Sequence, residues 1–233
     1  MLNDNLTGKP ANRQTGKLYI VATPIGNLGD ITLRAIDTLK AVDLIAAEDT
    51  RHTKILLDKY GIRTPTTSYF EHNKVQKGDY LLKALKEGKS IALVSDAGTP
   101  GISDPGYAII RLCLESGINV VPIPGPSGLI AALTISGKPT DQFTFVGFLS
   151  PKPIKRKNQL AKLREEGRTI VLYESVHRIE KLLNDVLEVF GDTQLVVARE
   201  VTKKFEEIRR EKVSLSIEHF KTNKPKGEFV VII

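Results

Sequence analysis

Apolar positions along the chain fall into short, nearly unbroken runs, separated by longer stretches in which they recur three and four residues apart. The runs KLYIVAT (17–23), AVDLIAAE (41–48), SIALVS (90–95) and INVVPI (118–123) are too short for buried helices and rich in β-branched residues. They predict strands covered on both faces, and hence a largely parallel sheet. Residues 30–41, 51–61, 74–88 and 104–117 carry the helical spacing between them, and the last three of these segments end in glycine, the usual helix stop. Asp30 is placed to cap the first helix and Pro105 to open the last. The pattern is that of an α/β fold.

After residue 142 the pattern restarts. FTFVGFL (143–149), RTIVLYE (168–174), TQLVVARE (193–200) and GEFVVII (227–233) predict further strands, and VHRIEKLLNDVLEVFG (176–191) is the strongest amphipathic helix. Wider gaps and the charged segment TKKFEEIRREKVS predict a mixed sheet in this half. The expected organisation is a disordered arm over residues 1–16, an N-terminal α/β domain over 17–121 and a C-terminal α/β domain over 122–233. Because the sequence ends inside an apolar strand, at Ile233, more chain is expected to follow in the complete gene product.

Composition adds three points. With 233 residues, 41% hydrophobic and 26% charged, the chain has the make-up of an ordinary soluble globular protein. No apolar run approaches the roughly 20 residues that span a bilayer, and the polar N-terminus lacks a signal-peptide core, so neither a membrane nor an export route is expected. Cys113, the single cysteine, sits at helical core spacing; a buried inert thiol and a cytoplasmic, reducing location follow. The net charge is +7, with 15 basic and 13 acidic groups in residues 1–120 against 19 and 14 in 121–233. That excess favours a polyanion such as RNA as partner.

Candidate chemistry lies in the loops. PIGNLGD, DTRH, DAGTPGISDPG and PGPSG each follow one of the first four strands. In a parallel sheet these carboxyl ends share one edge, where open α/β sheets bind ligands. Glycine lets backbone approach a ligand closely, and proline fixes the loop beforehand. The segment GISDPG at 101–106 has the glycine spacing of a phosphate loop, but Tyr107 stands where lysine is required. No dinucleotide fingerprint follows any strand, and the four histidines are scattered, so no metal is expected. A small ligand gripped by backbone and carboxylates fits better.

TPIGNLGDITLRA, EDTRHT, SDAGTPGISDPG and PIPGPS, in this order, resemble the motifs of the S-adenosylmethionine-dependent methyltransferases of the tetrapyrrole-methylase family. The likeness runs on through YESVHRI, VARE, TKKFEE and GEFVV, and is with the branch that methylates a cytidine ribose 2′-hydroxyl in the decoding centre of 16S rRNA. It implies two α/β domains with the cofactor in the cleft between them, a homodimer, and 16S rRNA within the 30S subunit as partner. Members of this branch usually continue past GEFVV into a small helical region, which this sequence lacks. The resemblance implies cofactor contacts from Ile25, Asp96, Gly98, Thr99 and Ile102, from Ser127 and Gly128, and from Tyr173, Ala198 and Gly227. A tetrapyrrole or modified-protein acceptor, or a non-catalytic RNA-binding scaffold, are the alternatives.

A ribose hydroxyl needs a positioned base. Asp30, Glu48 and Asp49 are candidates; Arg51 can clamp a phosphate, and His52 is an alternative to Asp49 as base. Asp49 reads equally well as a helix N-cap. For RNA, PKPIKRK offers Lys152, Lys155, Arg156 and Lys157, and TKKFEEIRREK offers Lys203, Lys204, Arg209 and Arg210, the latter interleaved with acids that suggest a self-paired face. Tyr69, Phe70 and His72 are candidates to stack on a displaced base; core packing accounts for them equally well.

Overall fold

Lys17–Val21 form the first strand, β1, which buries Leu18 and Ile20 on one side and turns Tyr19 and Val21 to the other. Both sides meet apolar layers, which is why the run shows no polar alternation. The structure is a computed structural model that describes residues 15–224 and 226–233. All but the last two residues of the expected N-terminal arm lie outside that range.

β1 is joined by β2 (Leu44–Ala47), β3 (Thr66–Ser68), β4 (Ile91–Val94) and β5 (Asn119–Ile123) in a five-stranded sheet ordered β3-β2-β4-β1-β5. Every pairing is parallel. Helices α1 (Leu33–Ala41) and α2 (Thr50–Lys59) cover one face through Ala35, Leu39, Leu56 and Leu57. The opposite face is covered by α3 (Lys74–Lys86) and α4 (Tyr107–Glu115) through Leu81, Leu85, Ile109 and Cys113.

Two local expectations are corrected. Asp30 belongs to a short 3₁₀ turn, and the cap of α1 is Thr32, whose hydroxyl accepts from the Ala35 N–H at 3.1 Å. Pro105 precedes α4, which begins only at Tyr107 after the chain turns back at Gly106. The helix stops hold: Gly61, Gly88 and Gly117 all have positive φ.

A second sheet contains β6 (Phe143–Gly147), β7 (Thr169–Ser175), β8 (Gln194–Arg199), β9 (Glu207–Lys212) and β10 (Glu228–Ile232), ordered β6-β7-β10-β8-β9. It is mixed, as expected: β6 and β7 run parallel and the remaining pairs antiparallel. Helices α6 (Pro153–Glu166), α7 (Ile179–Phe190) and α8 (Val213–Thr222) pack on one face, with Leu160, Leu183, Val186 and Phe220 in its core. The short helix α5 (Gly128–Thr134) covers part of the other face with Ala132 and Leu133.

Candidate active site

The loops at the carboxyl edge of the parallel sheet are tied into one frame. Thr23, just past β1, and Gly98, past β4, exchange backbone hydrogen bonds of 2.9 and 3.0 Å, and the Thr23 hydroxyl donates to the Ser95 carbonyl at 3.1 Å. Gly98 has φ +78°, a conformation that a side chain would strain. Past β2, the Asp49 N–H donates to Asp96 Oδ1 at 3.0 Å, while the Asp96 N–H donates to Glu48 Oε2 at 3.3 Å. This reciprocal pair locks the second loop to the third.

Between this edge and the uncovered part of the second sheet lies a cavity of about 350 Å³. Ile25, Gly98, Thr99, Ile102, Ser127, Gly128, Tyr173 and Gly227 line it, which are eight of the ten residues expected at a cofactor site. The other two lie outside its wall. Asp96 lines the neighbouring cavity. Ala198 is fully buried, packed with Leu133 and Val196 in the core under α5. Val230, its partner on the adjacent strand, reaches the cavity in its place.

The wall also holds Lys203, expected instead on an RNA surface, and residues that the motifs did not single out: Ser103, Asp104, Phe148, Glu174, Glu200 and Glu228. Asp104 and Glu228 stand inside quoted motifs, yet those motifs were read for their glycine and proline backbone. Burial, then the charge of Glu48, pushes the Asp104 carboxyl up to about 6; a hydrogen bond with Ser95 opposes the shift, and the charges of Asp96 and Glu228 add to it. Of the four acids that line the cavity, Glu174 is buried and paired with Arg178 at 3.1 Å, while Lys203 pairs with Glu200 at 2.8 Å and Glu228 at 2.9 Å, which leaves Asp104 without an ion-pair partner among the described residues. Apolar Ile25, Ile102 and Val230 complete a wall suited to a flat apolar group carrying positive charge.

A second cavity of about 540 Å³ shares Ile25, Ala97, Lys203 and Glu228 with the first, and is lined further by His52, Thr53 and Asp96. Of the five expected catalytic residues, His52 alone lines it, and none lines the first. Glu48 sits behind, half-buried; burial raises its pKa and the neighbouring Asp96 charge adds to that, while the Asp96 N–H opposes it. Asp49 is the N-cap of α2, accepting from the Arg51 N–H at 2.8 Å and from its guanidinium at 3.1 Å. The Arg51 guanidinium is the main cause holding Asp49 at a pKa of about 2. The geometry of Asp49 is that of the cap, and Asp49 lines neither cavity. Arg51 points into solvent, and exposed Asp30 borders neither cavity.

The basic residues divide by exposure. Lys152, Lys155 and Lys204 are exposed. Arg156 is not: its side chain is 3% exposed and its Nε donates to Asp185 Oδ2 at 2.6 Å. That buried pairing removes it from any RNA surface. Lys157 is held by Glu188 and lies 3.9 Å from Asp185, and Lys203 is a wall residue of both cavities. Arg209 is paired with Glu207 and Glu211, as a self-paired face requires, whereas Arg210 donates to the Ile135 carbonyl. Tyr69 is core, whereas Phe70 and His72 are exposed in edge-to-face contact. Cys113 is fully buried, and burial pushes its thiol up to about 11, an inert state. Among the described residues no group of three or more His, Cys, Asp or Glu is arranged to hold a metal, and no helix is long and apolar enough to cross a membrane.

Comparison with known proteins bears on the same region. Residues 17–215 match the model of the Tetrapyrrole (Corrin/Porphyrin) Methylases. The chain is 53% identical over 219 residues to Ribosomal RNA small subunit methyltransferase I of Synechocystis sp., covering 94% of this chain and 78% of the relative. It is 50% identical over 218 residues to the protein of the same name from Thermotoga maritima, covering 94% and 98%. Among solved structures, cobalt precorrin-4 methyltransferase superposes with a TM-score of 0.70 at 20% identity, covering 93% of this chain and 94% of that one.

Proposed function

The chain belongs to the tetrapyrrole methylase family and, within it, to the ribosomal RNA small subunit methyltransferases I, and from that premise we propose that it methylates the ribose 2′-hydroxyl of a cytidine in the decoding centre of 16S rRNA. Its cofactor is S-adenosylmethionine. The observation that carries the reading is the cavity of about 350 Å³ that loops of both sheets enclose, with eight motif residues and an acidic wall converging on it. We assign the nucleoside end of the cofactor to Ile25, Ile102 and Val230, and its polar groups to the backbone around Gly98, Thr99 and Ser127. The carboxylates of the wall suit a sulfonium.

When bound, the cofactor would supply an electrophilic methyl group to the ribose oxygen, its sulfur keeping the bonding electron pair and the hydroxyl proton passing to a base. The protein's part is to align the two reactants, which alone can supply about 7–11 kcal/mol, and to take the proton. We place the ribose in the second cavity, which His52 lines, and assign His52 the proton. Exposed Lys152, Lys155 and Lys204 supply phosphate contacts in this reading. By the same kinship the acceptor is the assembled 30S particle, the enzyme a homodimer in the cytoplasm, and the two sheets the cores of two domains.

Incubation with radiolabelled S-adenosylmethionine and either 30S particles, free 16S rRNA or a tetrapyrrole tests this. Label is expected on 16S rRNA from 30S particles, in a nuclease-resistant dinucleotide. Label on the tetrapyrrole instead, or on a base, would overturn it.

A further inference from the structure

Asp104 presents an unusual electrostatic situation. It lies in the loop between β4 and α4, on the wall of the first cavity and partly withdrawn from water. The charges that bear on it are all negative: Glu48 from the loop after β2, Asp96 from the loop after β4, and Glu228 from β10. The Ser95 hydroxyl beside it, which donates to the Ala97 carbonyl at 3.3 Å, is neutral. Tyr173 of β7 faces it with a phenol whose pKa burial raises further, so it brings no cation either. Lys203, the cation of the wall, is already shared between Glu200 and Glu228. A part-buried carboxylate among like charges is unfavourable until a positive charge arrives.

The two forms of the cofactor differ in that respect. The methyl donor carries a sulfonium, whereas its demethylated product is a neutral thioether, and both share the same adenosine, amino and carboxylate groups. We propose that Asp104 makes the cavity discriminate by charge between donor and product, so that methyl transfer itself cancels the attraction that held the cofactor. The inference rests on the cofactor assignment above and adds a specificity-determining residue to it. It also gives the uncompensated acid a use: a wall neutralised in advance by lysine or arginine would hold both forms alike.

Because groups common to donor and product cancel in a ratio, the ratio of their dissociation constants isolates the charge at sulfur. The Asp104 carboxyl, pushed up to about 6, is mostly neutral at pH 5 and ionised at pH 7.5. Burial raises the Glu48 carboxyl as well, and its charge bears on Asp104, so the Asp104→Asn variant is needed to separate the two.

Isothermal titration of the purified protein with S-adenosylmethionine and with S-adenosylhomocysteine, at pH 5.0 and 7.5 and fixed ionic strength, is the test. The preference for donor is expected to fall about tenfold on going to pH 5.0, the size of one pKa unit of coupling. Asp104→Asn at pH 7.5 is expected to show the wild-type ratio of pH 5.0. Should Asp104→Asn fail to fold, Asp104→Ser, which also removes the carboxylate, gives the same comparison against the wild-type pH series. Binding of both ligands with a ratio indifferent to pH and to Asp104→Asn overturns the inference while sparing the cofactor site. Binding of neither ligand to the wild type overturns both.

Discussion

The Tyr173 hydroxyl oxygen accepts a hydrogen bond from the Leu129 N–H at 3.0 Å, joining the middle of β7 to the first turn of α5. The opening N–H groups of a helix lack partners of their own, and here a side chain from another element supplies one. Phe145 and Phe148 hold the ring edge-on, at centroid distances of 5.0 and 6.0 Å. The bond fixes one side of the cavity before any ligand enters, because Gly128, Phe148 and Tyr173 are all wall residues.

Tyr173→Phe keeps the ring and removes the acceptor. It leaves the Leu129 N–H unpaired, a cost of about 1–3 kcal/mol where water is excluded. Chemical denaturation is expected to show a loss at the low end of that range, since α5 can relax. Calorimetry is expected to show S-adenosylmethionine affinity reduced several-fold with unchanged stoichiometry.

Much of the architecture was legible because burial on both faces writes itself as continuous apolar runs: Ile91–Val94 is buried at every position. The elements that escaped lack that signature. β3, with sequence TTS, is a three-residue edge strand with no fully buried side chain. β9, with sequence EIRREK, pairs only with β8, and an edge strand tolerates charge. α6 hides because one of its core positions is an arginine, Arg156, beside Leu160 and Leu163. At the site, loops were legible through glycine and proline, but side chains were not. The helical pattern after Asp49 already pointed to a cap, whereas nothing local marks Asp104 as a cavity carboxylate; only the tertiary positions of Glu48 and Glu228 do so.

Asp49 and its neighbours separate capping from chemistry. Asn caps a helix as well as Asp does, so Asp49→Asn is expected to fold normally and to retain methylation within about twofold. Asp49→Ala is expected to lower the melting temperature by roughly 2–4 °C, the size of a lost cap in a chain of this length. His52→Ala is expected to reduce turnover about 10²–10⁴-fold with cofactor affinity unchanged. Full turnover in the His52 variant would move the proton acceptor elsewhere.

Arg156 and Lys155 are adjacent in sequence and opposite in role. Arg156→Ala strands Asp185 in a buried setting and is expected to cost about 3–5 kcal/mol, read as a shifted denaturation midpoint. Lys155→Ala is expected to leave stability unchanged and to weaken rRNA binding. The logarithmic salt slope of that binding is expected to fall by about one unit. A destabilised Lys155 variant, or a stable Arg156 variant with a reduced salt slope, would reverse the two assignments.

Asp104 also makes a prediction about stability in the absence of any ligand. Its carboxyl, at about 6 against an ordinary 3.8, binds its proton more tightly folded than unfolded. The ionised form therefore opposes folding above pH 6, and that penalty fades as the pH falls through 6 and is gone only below the ordinary 3.8, where both states are protonated. The full shift is worth about 3 kcal/mol, and partial exposure to solvent reduces it to about 2 kcal/mol. Asp104→Asn cannot ionise, so it is expected to be about 2 kcal/mol more stable than the wild type at pH 7.5 and equal to it only near pH 3. Urea denaturation of both proteins across that range measures the difference directly. A variant that is less stable at pH 7.5 would mean that the carboxylate is compensated in the free protein, and the wall would then hold no charge in reserve for a cation.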